Sequence, residues 1–490
     1  MRRLPRWNLI HVALACIASL AAMLIVHTGA DPDLWGHLRF GMDMLASGRL
    51  ASHDPYSFTS DIPWVNHEWL AEVIFAALFS RLGAIGITLL KTAIVGAVAA
   101  IAWRGVRRAG GTPFAAAALT TALVIVTSYR TVPIRPQLFS VLFFTLLLVI
   151  ADRIEHGRER AALAIPLLFC VWANAHGGWI VGFGALTLWA IWTRRFVLIA
   201  AAAAGTLVNP YGIGLWFFIR DTVGLARPDI SDWLPIYRLP LTLIPVECAV
   251  PALAVAAMWY TRRIPPARQL AVLGLLAFGT VRVGRIDAFL HIAVVAICAP
   301  ALAAAANAFD ERLRRSGALT RPSFACTAAA SAIVAVAASS SISGLGRIAV
   351  EGPWIPDRDA VQVLRERVAH TKLITWFDWG EYAIWHLSPN GVLVSMDGRR
   401  ETVYSDRVLH EHFAFYDNEG AEAWRYPDRI GAESIWLPKR LPIVKVLSAH
   451  GWHAVFESPV SVVLQREPTA VRATPPIPPA AASVVAFPGP

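Results

Sequence analysis

Between an apolar stretch that ends near Val26 and another that begins near Gly83, the chain concentrates groups able to do acid–base or ligand chemistry. Asp31, Asp33, His37, Asp43, His53, Asp54, Asp61, His67 and Glu68 share this segment with Trp35, Trp64 and Trp69. Carboxylates held just above a bilayer can take a proton from an attacking hydroxyl or ligate a divalent cation. Asp31 and Asp33 stand two residues apart. If both ionise, their repulsion raises one proton affinity toward neutrality, which suits a general base. Asp33 is the first candidate for that base and Asp31 the second. The bland alternative is a solvated loop with interfacial tryptophans, and an Asp-x-Asp spacing alone does not decide between them.

Positioning such groups falls to an apolar chain. Of 490 residues, 56% are hydrophobic and 16% charged, against roughly 25% charged in a soluble domain. The formal net charge is +10. Its placement in short loops between apolar stretches makes it a topology signal and not a nucleic-acid footprint. At ~20 residues per crossing, the apolar runs predict about eleven spans. They fall near 9–26, 83–103, 113–129, 138–152, 161–176, 179–193, 196–209, 241–260, 268–281, 286–304 and 323–342. Basic loops at 104–108, 153–160, 193–195, 261–268 and 310–321 then share one side. The expectation is a bacterial inner-membrane protein with a cytoplasmic N-terminus and an uncleaved first span. Residues 1–343 form the membrane domain, including a first outer loop at 28–81 in which 69–80 reads as an interfacial helix. Residues 344–467 read as a small periplasmic α/β domain, and the Pro/Ala-rich tail 468–490 as disordered.

The expected outer side collects further candidates. Arg135 lies in the run Arg-Thr-Val-Pro-Ile-Arg-Pro-Gln, His176 in Asn-Ala-His-Gly-Gly, and Arg282 and Arg285 flank a short polar break. Arginines there can clamp a phosphate in bidentate fashion or simply anchor span ends. His176 reads equally well as a helix terminus. Lys91 sits about eight residues inside a span, ~12 Å deep by helical rise. A charge at that depth calls for a partner, such as a lipid phosphate or Glu247, unless it snorkels.

Beyond Gly344 an amphipathic helix is expected over 357–370. Strand-like runs follow at Lys372–Phe377, Gly391–Val394, Ser434–Leu437, Ala454–Glu457 and Ser461–Gln465. The segments Phe377-Asp378-Trp379-Gly380-Glu381-Tyr382 and Asp397-Gly398-Arg399-Arg400 stand out and read as structural or acceptor-contacting. All five cysteines lie in apolar segments, so this domain has no disulfide framework.

The arrangement of the first 105 residues resembles the polyprenyl-phosphate-dependent glycosyltransferases of the GT-C type, such as aminoarabinose transferases and protein mannosyltransferases. That family places an acidic motif after the first span, then a helix ending near Gly, then a Lys-Pro-Pro or His-Pro-Pro motif. An interfacial helix ending in Gly and a basic residue in the next span complete it. Asp33 begins the pattern here, Met44-Leu45-Ala46-Ser47-Gly48 closes the first helix, and His67 stands at the Lys/His position. Leu82-Gly83 ends the interfacial helix, and Lys91 falls where an Arg is usual. Leu34 replaces the second acid, and Glu68-Trp69 replaces Pro-Pro.

The resemblance implies an inverting enzyme with Asp33 and Asp31 catalytic. His67, Glu68, Lys91, Arg135, His176, Arg282 and Arg285 would then meet the donor phosphate or substrate. The donor would be a polyprenyl-phosphate sugar, and the acceptor a lipid-linked or periplasmic glycan, among membrane lipids. No nucleotide cofactor is expected, because no Gly-rich phosphate loop follows a strand; the acidic loop leaves room for a divalent cation. Two rivals are a non-catalytic scaffold with an outer binding domain and a transporter, the latter calling for internal repeats.

Overall fold

The computed structural model describes residues 7–225, 227, 230–315, 321, 323–352, 354–466 and 487–489. The chain divides into two units, Met1–Thr28 with Ile85–Arg347, and Gly29–Ala84 with Ile348–Pro490. The first outer loop is therefore part of the same unit as the C-terminal segment, and not of the helical domain to which sequence assigned it.

The helical unit begins with α1 (Leu9–Val26), opened by the Asn8 side chain, which accepts from the His11 backbone N–H. A later helix, Ala84–Arg108, is called α4 below. Among the described residues six helices are long and apolar enough to cross a membrane. They are α1, α4, Pro113–Thr131, Gln137–Glu155, Ile244–Thr261 and Phe324–Gly344. A seventh crossing is available if Gly284–Ile297 and Ala299–Arg315, bent by 71°, count as one. The chain is a multi-pass membrane protein. The expected eleven spans are not reached. Helices stand at the other expected positions, but Ala164–Ala175, Trp179–Trp192 and Phe196–Thr206 have 12, 14 and 11 residues. At ~1.5 Å per residue none covers a ~30 Å hydrocarbon core alone.

Burial separates the roles of the spans. Pro113–Thr131 is 72% buried and packs centrally, whereas Phe324–Gly344, apolar enough to span, is 11% buried. An apolar helix that hides so little of itself within the protein has its remaining faces suited to lipid. Beside it lies α1, both rich in small residues that allow close backbone approach. Phe144, Phe169, Trp172 and Trp179 fill the core of the unit.

The end of α1 accounts for Lys91. A helix terminus leaves its last carbonyls without intrahelical partners. Here Met23 O accepts from the His27 N–H at 2.7 Å, and Val26 O accepts from the Thr28 hydroxyl at 2.8 Å. Lys91 Nζ serves the rest, donating to Leu24 O at 3.3 Å, Ile25 O at 2.8 Å and His27 O at 2.5 Å. The protein partners of Lys91 are thus backbone oxygens at the negative end of a helix dipole, and not the Glu247 that its depth suggested.

The second unit folds around a five-stranded sheet in the order β2-β1-β3-β5-β4. Its strands are β1 (Lys372–Thr375), β2 (Leu393–Val394), β3 (Ser434–Pro438), β4 (His453–Glu457) and β5 (Ser461–Gln465). β1 is parallel to β2 and β3, and β5 is antiparallel to β3 and β4. All five expected strand runs are found. The loop extends the β2 edge: the Val394 N–H donates to Tyr56 O at 2.9 Å, and the Phe58 N–H to Val394 O at 3.1 Å. Its two helices, α2 (Leu34–Ser47) and α3 (Trp69–Leu82), pack on each other. As expected, α2 ends at Gly48, whose φ of 65° is the left-handed conformation favoured by glycine.

Of the tail expected to be disordered, only 487–489 are described, while 467–486 and 490 lie outside the described residues. The Phe487 ring packs 5.0 Å from that of Trp35 and 5.8 Å from that of Phe79. Trp35 Nε1 donates to Pro488 O at 2.8 Å. Two aromatic contacts and one hydrogen bond offset the ordering of so short a segment.

The accounting at α1 makes a testable case. Replacing Lys91 by Met keeps the volume and removes the donors, leaving carbonyls buried without partners. The expected result is a loss of about 1–3 kcal/mol, read as a lower midpoint of thermal unfolding in detergent. An unchanged midpoint would show that Lys91 does not hold α1 in place.

Candidate active site

Asp33 occupies the position before the first turn of α2. Its side chain makes no capping hydrogen bond to that helix, so the commonest structural use of an Asp at this place is not the one found. Asp31 does the local work instead. Its Oδ1 accepts from the Asp33 backbone N–H at 3.0 Å, and its carbonyl accepts from the Leu34 N–H at 3.1 Å. Asp31 is buried and Asp33 partly exposed. One aspartate sets the backbone and the other projects its carboxylate.

That carboxylate points at the Asp397-Gly398-Arg399-Arg400 segment. A Cβ built on Gly398 would lie 2.1 Å from Asp33 Oδ1 and 3.1 Å from Glu381 Oε1. A Cβ on Gly36 of α2 would lie 2.1 Å from Glu381 Oε2. Two glycines thus create the space in which the two carboxyl groups meet, and a methyl at either position would collide with one of them. Glu381 is 3% exposed. Burial, with Asp33 and Asp397 close by, drives its proton affinity well above the usual carboxylate range, outweighing the Arg399 charge.

Arg399 is the fastener of this site. Its Nη1 and Nη2 donate to both oxygens of Asp54 at 2.7 and 2.9 Å. Its Nε and Nη2 donate to both oxygens of Asp397 at 2.8 and 2.7 Å. The rings of Phe40, Trp64 and Tyr56 stand 4.8, 4.9 and 5.4 Å from the guanidinium carbon. Burial alone would disfavour the charge, but Asp397 and Asp54 hold it more firmly than in water. Tyr404 adds a hydroxyl donor to Asp397 at 2.7 Å. Removing one member of such a group leaves a buried charge uncompensated.

Behind Asp33 on α2, His37 Nδ1 lies 3.0 Å from Glu72 Oε1 on α3. Asn66 Nδ2 donates to Glu72 Oε2 at 2.6 Å. Burial pushes His37 toward its neutral form, yet the hydrogen bond and charge of Glu72, with Glu68 and Asp33, raise its pKa to about 9. His67 and Glu68 form the entry to α3, where His67 Nε2 lies 3.6 Å from Glu68 Oε1 and both are about one-fifth exposed. Asp31, Asp33, His67 and Glu68 all belong to the second unit. Among the described residues no group of three or more His, Cys, Asp and Glu converges to hold a metal ion.

The remaining candidates lie in the helical unit. Arg135 Nη1 meets Asp232 Oδ2 at 2.6 Å. Arg130, which sequence reasoning passed over, meets Asp232 at 2.8 Å and Asp287 at 3.0 Å. Arg285 stacks 5.5 Å from the Trp233 ring and approaches Gln137 Oε1 at 3.4 Å. Burial opposes ionisation of Asp232, but Arg135, Arg130 and Arg285 together keep it below the usual carboxylate range. Arg282 stays exposed, outside this network. His176 locks a turn: its Nδ1 accepts from the Gly178 N–H at 2.9 Å and lies 2.7 Å from the Ser140 hydroxyl, consistent with the helix-terminus reading. A cavity of about 750 Å³ in this unit is lined by Arg104, Arg108, Arg153, Glu155 and apolar side chains. Arg135, His176, Arg282 and Arg285 do not line it.

Sequence reading missed Glu381, the His37–Glu72 pair and the clamp role of Arg399. The signal for two of them was present, since Glu381 and Arg399 fall in the two segments that stood out after residue 344.

The raised pKa of His37 has a signed consequence. Its contribution to stability is complete below the unfolded value near 6.5 and disappears as pH rises through about 9. The loss is on the order of 3 kcal/mol. Thermal unfolding in detergent between about pH 6 and pH 10 should show it as a falling midpoint, and His37→Gln should flatten that fall. An equal fall in both proteins would refute the charged pair.

No family model and no curated protein matches the chain in sequence. Solved structures do match in fold. The oligosaccharyltransferase of Archaeoglobus fulgidus, tethered with an acceptor peptide, aligns with a TM-score of 0.52 at 13% identity. That alignment covers 87% of this chain and 69% of that one. ArnT from Cupriavidus metallidurans in the apo state aligns with a TM-score of 0.51 at 12% identity, covering 93% of this chain and 97% of that one. The identities are low, so the likeness, which spans nearly the whole chain, is one of fold.

Proposed function

We propose that the chain is an inverting glycosyltransferase that moves a sugar from a polyprenyl-phosphate donor to an acceptor hydroxyl. The acceptor would be a periplasmic or lipid-linked glycan. The observation that carries this reading is Asp33: a partly exposed carboxylate, unused as a helix cap, whose backbone is fixed by Asp31. The GT-C fold supports it. The acceptor oxygen attacks the anomeric carbon as Asp33 takes its proton, and the bond from that carbon to the donor phosphate breaks. The electron pair leaves with the polyprenyl phosphate, so no nucleotide is needed. Asp31 acts as a positioning residue.

In the helical unit, three guanidiniums (Arg130, Arg135 and Arg285) stand with two carboxylates (Asp232 and Asp287). Arg135 and Arg285 are both partly exposed, which supports them as the groups that meet the donor phosphate. Lys91 and His176, engaged as described, are proposed as framework. The same internal pairing favours a second reading, a non-catalytic scaffold that keeps the fold. The orientation proposed is the one set by the basic loops, with the N-terminus in the cytoplasm of a bacterium and the second unit in the periplasm.

Two experiments bear on this. In a transfer assay with a synthetic polyprenyl-phosphate sugar and membrane acceptors, Asp33→Asn should lower turnover by about 10²–10⁴-fold with normal expression. Asp31→Asn should cost less. Full activity in both variants would hand the lead to the scaffold reading. For topology, a reporter fused after Arg108 should be active only in the cytoplasm and one fused after Pro356 only outside. The reverse pattern would end the proposed orientation.

A further inference from the structure

We infer that Glu381 is the proton-holding partner of Asp33, a positioning residue whose neutral carboxyl lets the exposed aspartate keep the single negative charge of the pair. The inference rests on the reading of Asp33 as base and gives that base a mechanism of tuning.

Geometry carries it. Asp33 Oδ1 and Glu381 Oε1 both lie within 3.1 Å of the same point beside Gly398. Glu381 is fully enclosed, and its Oε2 has no hydrogen-bond partner among the described residues, a costly state for a carboxylate. The cations nearby are engaged elsewhere. Arg399 spends its hydrogen bonds on Asp54 and Asp397, and His37 is taken by Glu72. The charged groups facing Glu381 are otherwise Asp33, Asp397 and Glu72, all of its own sign, with Arg399 the one opposing charge. Two like charges at such range cannot both be ionised cheaply, so one proton stays with the pair. The buried member holds it, because water solvates the exposed one. Burial and those neighbours push Glu381 in the same direction.

The consequence for transfer is specific. A base flanked by a neutral acid accepts a proton into a pair whose charge goes from one negative to zero. With Glu381 ionised, the pair would begin with two negative charges at a site that must admit a phosphate-bearing donor. Glu381 touches neither substrate nor reacting atoms in this scheme. It sets the charge that Asp33 presents.

The test uses the full chain in detergent and needs no substrate. Infrared spectra titrated over pH should contain a protonated-carboxyl band at neutral pH that disappears in Glu381→Gln. In Asp33→Asn the band should persist at low pH, but its midpoint should fall by about one pH unit or more, because a neighbouring negative charge has been removed. A purely structural glutamate would not respond to Asp33→Asn. Glu381→Gln, which keeps shape and neutrality, should retain transfer within about tenfold and lose the alkaline fall in kcat/KM that ionisation of Glu381 imposes. The inference is overturned if wild type lacks the band, if Asp33→Asn leaves its midpoint unmoved, or if added Mg²⁺ abolishes it by chelation. Should the band behave as expected while Asp33→Asn transfers normally, the proton-sharing pair stands and the assignment of Asp33 as base falls.

Discussion

The second unit depends on one arginine. Arg399 joins Asp54 of the early loop to Asp397 of the C-terminal segment across 345 positions of sequence, and it does so while buried. Bidentate carboxylate pairs on both sides and a surround of Phe40, Tyr56 and Trp64 compensate a desolvation that either alone would leave unmet. Because this charge must be matched in place, the loop is tied to the C-terminal segment that carries Gly398 and Glu381. The angle at which Asp33 meets them is a by-product of that match.

The helical unit follows the same rule with different partners. In an apolar environment each polar group needs an internal answer, and Lys91 finds it in the carbonyls that close α1. Arg130, Asp232 and Asp287 find it in one another. These are framework uses of residues whose depth and charge would equally suit ligand binding. The difference lies in whether a protein oxygen is already present, which only three-dimensional placement reveals.

Much of the architecture could be read in advance. The five strands and the stop of α2 at Gly48 were legible because alternation and a left-handed glycine act over a few residues. Asp33 was singled out because its position after the first span carries a resemblance. The span count was not, since successive apolar runs such as Phe196–Thr206 look like crossings by composition and fall short only in helix length. Glu381 was not either. Its chemistry comes from Gly36, Gly398 and Asp33, and two of those three lie far from it in sequence. Lys91 was visible as a charge inside a span, but backbone carbonyls leave no sequence signature to name as its partner.

A unit assembled from residues 29–84 and 348–490 also has a timetable. The loop emerges early in synthesis, while Arg399 is added 345 residues after Asp54. At roughly 5–20 residues per second, Asp54 and its aromatic neighbours wait on the order of tens of seconds before their partner exists. Phe487, which fills the space beside Trp35, arrives last of all. Until then Trp35, Phe40, Tyr56 and Trp64 are an unassembled apolar surface beside a membrane. The early loop thus has a period after synthesis in which its buried charge and its aromatic core have no partners.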